Sequence, residues 1–143
     1  MAETGYAAFN KTVDKTNHIL RKIEETYGWP KERRNQSYAA LRTVLQALRD
    51  RLTVEEIPQL GAQLPMLVKG IYYEGWDPTK TPMKMNADEF LGRVREEFRF
   101  ELPNGVDHLV RTVLSAIRDQ VSQGEWEDVR SIVPKDVRHL LPA

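Results

Sequence analysis

The side chains best suited to acid–base or metal chemistry are His18, His108 and His139, with the acidic pairs Glu24-Glu25, Glu55-Glu56, Glu96-Glu97 and Glu127-Asp128. The histidines share no metal-ligand spacing such as HExxH. His18 falls on the polar side of the first helical pattern. His139 falls near the last helix end, where a cation suits the helix dipole. General acid–base work needs two carboxylates facing one cleft with separated pKa values, whereas adjacent helical residues diverge by ~100°. The acidic pairs therefore read as solvated helix surface. The serines at 37, 115, 122 and 131 lack a nucleophile elbow or an SxxK arrangement. With no cysteine there is no thiolate nucleophile, disulfide or cysteine-ligated metal. Neither a Walker loop nor GxGxxG occurs. No catalytic, cofactor-binding or metal-ligating set is expected, and an enzyme of unrecognised class stands as an alternative.

Two patterns suit binding better than catalysis. Arg42 and Arg49 recur as Arg111 and Arg118, and residues seven apart share a helix face. As phosphate contacts, these four arginines would give a salt-sensitive nucleic-acid surface. Asp50 and Asp119 stand beside them, so intramolecular ion pairs are the preferred reading and nucleic acid the secondary one. The other pattern is Lys69-Gly-Ile-Tyr-Tyr-Glu-Gly-Trp76. Its Lys69, Tyr72, Tyr73 and Trp76 form the candidate interaction surface, because amphipathic rings beside a cation are what binding hot spots favour. The competing reading is that the rings roof the core, with their N–H and O–H groups satisfied by the connector that follows. The partner expected on the first reading is another protein or a second copy of the chain.

Composition sets the bounds. At 143 residues the chain is long enough to bury a real core. Lys+Arg and Asp+Glu stand at 21 each, so no net charge draws it to nucleic acid or an anionic membrane. No apolar run approaches the ~20 residues of a membrane span, and the N-terminus shows no secretory leader. A cytoplasmic protein is expected.

The elements that must position these side chains are helical. Phe9, Val13, Thr16, Leu20, Ile23 and Tyr27 make one stripe, with Thr4 as the expected N-cap and Gly28 as the stop. The polar run from Lys31 to Ser37 reads as loop or as exposed first turns of the next helix. That second helix carries Tyr38, Leu41, Val44, Leu45, Leu48 and Leu52, and its expected outer face holds Arg42, Gln46, Arg49 and Asp50. Thr53-Val-Glu-Glu56 and Ser122-Gln-Gly-Glu125 are capping boxes. Leu67, Val68, Ile71 and Tyr72 follow Pro65, and Val137, Leu140 and Leu141 follow Pro134. Asn86 caps a helix whose inner face is Phe90, Val94 and Phe98.

From Arg42-Thr-Val-Leu45 and Arg111-Thr-Val-Leu114, a gapless correspondence runs through to Pro65 and Pro134, with Trp126 standing where Ile57 stands. The expectation is an all-α protein of about eight helices. Two pseudo-repeated four-helix units, about 4–76 and about 87–141, are joined by a connector at 77–86 and packed as one bundle domain over 1–143.

Leu41-Arg-Thr-Val-Leu-Gln-Ala-Leu-Arg-Asp-Arg-Leu52, Gln59-Leu-Gly-Ala-Gln-Leu-Pro65, Lys69-Gly-Ile-Tyr-Tyr-Glu-Gly-Trp76 and Phe90-Leu-Gly-Arg-Val94 together resemble the family called domain of unknown function 2267. The likeness covers nearly the whole chain. It implies a small all-helical bacterial protein and transfers no reaction, cofactor or site residue.

Overall fold

The second helix sits at the centre of the molecule, and its position explains most of what surrounds it. The computed structural model describes residues 3–143; Met1 and Ala2, which open the stretch read for a leader, lie outside the described residues. Eight α-helices follow in order: α1 (Ala7–Tyr27), α2 (Arg34–Arg51), α3 (Glu56–Gly61), α4 (Met66–Tyr73), α5 (Ala87–Glu97), α6 (Val106–Arg118), α7 (Gln123–Ile132) and α8 (Lys135–Arg138). Among the described residues there is no strand. Short 3-10 turns at Lys31–Arg33 and Pro78–Lys80 lead into α2 and through the connector. The polar run therefore becomes a tight turn followed by the first helical residues of α2.

Most helix ends have a local cause. Gly28 adopts φ 69°, and Trp29 N–H donates to the Glu24 carbonyl while Gly28 N–H donates to that of Glu25. This is a Schellman stop, which glycine enters without a Cβ penalty. Three capping boxes are closed on both sides: Thr53 with Glu56, Asn86 with Glu89, and Ser122 with Glu125. Pro65 and Pro134 stand immediately before α4 and α8. The expected cap of α1 is corrected. Tyr6 occupies the cap position, and Thr4 instead bonds through its N–H and Oγ1 to the Asn10 side chain.

One apolar cluster contains side chains from all eight helices. Helix α2 packs against α1, α4, α5 and α6, α1 also against α4 and α6, and α3 against α7. Leu41, Val44, Leu45, Leu48 and Leu52 are buried as their spacing requires, and so are Ala40 and Ala47 on other sides of α2. A helix with neighbours on several sides has little outer face left. This corrects the expected polar face, since Gln46, Arg49 and Asp50 are all buried. Ile57 and Trp126 are both fully enclosed, and the indole N–H of Trp126 donates to the Pro142 carbonyl at 2.9 Å.

The inner stripe of α1 keeps Thr16, Leu20 and Ile23 of the expected one and adds Thr12 and Ile19. Thr12, Thr16, Ile19 and Ile23 turn inward, while Phe9 is 49 % exposed and Val13 half-buried. Two threonines hold inner positions because their hydroxyls are used. Thr12 Oγ1 accepts from Leu67 N–H at 2.8 Å, and Thr16 Oγ1 donates to the Thr12 carbonyl at 2.8 Å. Pro65 has no side chain able to cap α4, so a neighbouring helix supplies the acceptor that an orphan N–H needs.

Candidate interaction surface

The segment Lys69–Trp76 spans the end of α4 and the start of the connector. Tyr72 is fully buried, and its hydroxyl donates to the Ile57 carbonyl at 2.7 Å. Burial pushes its phenol above the ordinary tyrosine range. Tyr72 is thus corrected from the candidate surface to the core. Tyr73 and Trp76 are half-buried, with ring centroids 5.9 Å apart, and Tyr73 packs edge-on against Tyr72. The Trp76 indole N–H reaches Thr81 Oγ1 on the connector at 3.4 Å. Lys69 is half-buried beside them.

The start of α4 is more open. Met66 is 56 % and Leu67 41 % exposed, and Tyr38 of α2 is 40 % exposed although its spacing placed it inside. Between them lies a groove of about 390 Å³ lined by Leu20, Tyr38, Leu67, Gly70 and Ile71, with Glu74 at its edge. A second depression beside Pro65 and Met66 is bordered by Lys11 and Lys15 of α1.

The four arginines do not form one row. Arg49 is 4 % exposed, and its Nη1 donates to the Tyr72 and Glu74 carbonyls, each at 2.9 Å. Gln46 Nε2 donates to the Ile71 carbonyl at 3.0 Å. Helix α2 thereby satisfies the carbonyls that α4 leaves unpaired at its C-terminal end. Asp50 takes Arg49 on one carboxylate oxygen and Arg93 of α5 on the other, at 2.8 and 2.7 Å. Its backbone carbonyl accepts from Met83 N–H in the connector. Arg42 is exposed and pairs with Glu74; Arg111 donates to the His139 carbonyl. Arg118 is half-buried and bonds Gln123 and the Ala143 carbonyl. Arg49 therefore faces inward, and Arg42, Arg111 and Arg118 are engaged within the chain.

A second charged clasp joins α1 to α2. Arg34 Nε and Nη2 grip the Glu24 carboxylate at 3.0 and 3.1 Å, and the fully buried Ser37 hydroxyl donates to it at 2.5 Å. Burial alone would raise the Glu24 pKa; the hydrogen bonds from Arg34 and Ser37, with the Arg34 charge, outweigh it and hold the group below the ordinary carboxylate value. His18 is exposed as expected, whereas His108 is half-buried with Nδ1 2.9 Å from the Tyr27 hydroxyl. Among the described residues no group of three His, Cys, Asp or Glu is placed to hold a metal ion. No described helix is long and apolar enough to cross a membrane.

Sequence reasoning passed over a cleft of about 640 Å³ where the end of α1, the start of α2 and the α5–α6 loop meet. Trp29 stacks on Tyr27 at 4.6 Å and on Phe98 at 6.3 Å, and Phe100 leans on Phe98 at 5.4 Å. Arg33, Gln36, Arg99 and Glu101 complete its lining. The signal was present as Trp29 and Phe100 flanked by arginines, but the two stretches are far apart in sequence and each reads as an ordinary turn.

A search of curated proteins finds no match. A family model described as an uncharacterized conserved protein, DUF2267, matches residues 16–140, from the middle of α1 to the turn after α8. The all-helical architecture agrees with what the motifs of α2, α4 and α5 imply, and the chain belongs to the DUF2267 family.

Proposed function

We propose that this protein is a helical association module, acting by binding rather than by catalysis, whose face of α1, α2 and α4 takes a second copy of the chain. The observation that carries the reading is the outward group of Met66, Leu67 and Tyr38, large apolar side chains gathered on adjoining helices. Clustered exposed apolar surface of this kind marks interaction sites more than scattered single residues do.

Charge favours a copy as the occupant. Lys11 and Lys15 border one end of the face and Glu74 the other. A twofold axis through its middle brings each lysine end against the glutamate end of the other protomer, as an isologous contact requires. The Arg42–Glu74 pair is exposed at both partners and weak enough to be exchanged. Equal counts of acidic and basic residues leave two copies without net repulsion. The same reading takes 4–76 and 87–141 as copies of one unit, supported by the gapless correspondence of Arg42–Pro65 with Arg111–Pro134 and the matching caps at Thr53 and Ser122. A cytoplasmic setting belongs to the proposal too.

Light scattering at about 100 µM, a concentration that reveals micromolar association, is the test. The expected result is the mass of a dimer for the native chain and of a monomer for Leu67→Glu, whose exposed position spares the core. A native chain that stays monomeric overturns the reading, and so does capture of an unlike protein on this face by that monomer.

A further inference from the structure

We propose that the cleft beside Trp29 is a binding site for a small aromatic carboxylate, an anionic head group attached to a planar apolar body. Of the thirteen arginines in the chain, ten make a hydrogen bond or ion pair within the protein. Among the described residues only the guanidinium groups of Arg33, Arg95 and Arg99 make no such bond, and two of these three line this one cleft. A protein that uses its guanidinium groups so consistently as internal ties has left two together with nothing to hold.

The other donors at the site are in the same condition. Trp76 and Trp126 give their indole N–H groups to Thr81 and Pro142, whereas the Trp29 indole N–H has no acceptor among the described residues. The Gln36 amide, on the cleft wall, has none either. A guanidinium presents a planar fork that matches a carboxylate, so Arg33 and Arg99 are suited to the head group. The apolar body has Phe100 to lie against: this ring is 37 % exposed, and among the described residues Phe98 is its one aromatic neighbour. Trp29 is backed by Tyr27 and Phe98 and forms a fixed wall rather than a stacking platform. At about 640 Å³ the cleft falls within the range of small-molecule sites.

Glu101 selects the head group. Its carboxylate lines the same cleft with no ion pair to either arginine. Two positive charges beside one negative charge leave a net single positive charge, which a monoanion neutralises, whereas a phosphate dianion brings a second charge that must be desolvated and that the cleft does not offset. A carboxylate is therefore favoured over a phosphate ester of the same size.

The site is tested by titrating the isotope-labelled full chain with phenylacetate, acetate and phenyl phosphate, following backbone amides and the three indole N–H signals by NMR. Phenylacetate is expected to saturate with a roughly millimolar Kd and to move the Trp29 indole signal while leaving Trp126 in place. Acetate and phenyl phosphate are each expected to bind at least about tenfold more weakly, and Glu101→Gln to restore phenyl phosphate. Arg33→Gln with Arg99→Gln is expected to abolish the phenylacetate shifts, and Arg95→Gln to leave them intact. These exposed positions spare the fold. Absence of saturable shifts with phenylacetate overturns the site, as do unchanged shifts in the double variant. Acetate binding as tightly as phenylacetate, or phenyl phosphate binding as tightly to the native chain, overturns the assigned ligand class.

Discussion

Glu24 and Arg49 show how single charged side chains hold this bundle from inside. The Glu24 carboxylate lies buried under two bonds from Arg34 and one from Ser37. Its pKa is lower in the folded chain than the ordinary value of 4.5. Its contribution to stability is therefore complete above that value and disappears as pH falls through the lowered one. Glu24→Gln should cost about 2–3 kcal/mol at neutral pH by leaving Arg34 without its counter-charge. The gap to the native chain should narrow as the solution is taken below pH 4.5, which urea titrations at several pH values would read. Arg49→Met removes the donors to the Tyr72 and Glu74 carbonyls. Two buried acceptors left unpaired should cost about 2–4 kcal/mol, visible as a fall in Tm of roughly 6–12 °C. Arg111→Met removes only an exposed bond and should shift Tm by less than about 2 °C.

Among the elements, caps and close approaches decide where each helix begins and how nearly two can lie. The box of Ser122 and Glu125 opens α7, and Ser122→Ala should cost about 1 kcal/mol in chemical denaturation. Gly61, at the end of α3, faces the Tyr73 ring. A Cβ there would fall 2.7 Å from the Tyr73 hydroxyl oxygen and 3.0 Å from two ring carbons. Gly61→Ala should destabilise by about 1–2 kcal/mol, and adding Tyr73→Phe should recover part of it by removing the nearest atom. The boxes at Thr53, Asn86 and Ser122 were readable from sequence because capping chemistry is local. Phe90, Val94 and Phe98 were readable because one side of α5 faces the core. The inward place of Thr12 on α1 was not, since it depends on accepting from a backbone N–H on α4, a partner 55 positions away. Nor was the burial of Arg49, which depends on where α4 ends beside it. The cleft at Trp29 stayed hidden for the same reason: its walls come from three elements that only the tertiary fold assembles.

Across the whole molecule, α1 rests on α6, α2 on α5 and α6, and α3 on α7, so early and late helices share one interior. Helicity by circular dichroism and the near-ultraviolet signal of packed rings should therefore be lost in one coincident thermal transition. Two separated steps would show that part of the chain melts by itself. The three tryptophans bring a further consequence. Trp126 is sealed in the late helices, Trp76 leans on the connector, and Trp29 lines a cleft with its indole N–H unclaimed among the described residues. Their emission colours should differ accordingly, bluest for Trp126 and reddest for Trp29. The chain thus carries three built-in lamps, and a molecule that begins to loosen at one end will dim or redden one of them ahead of the rest.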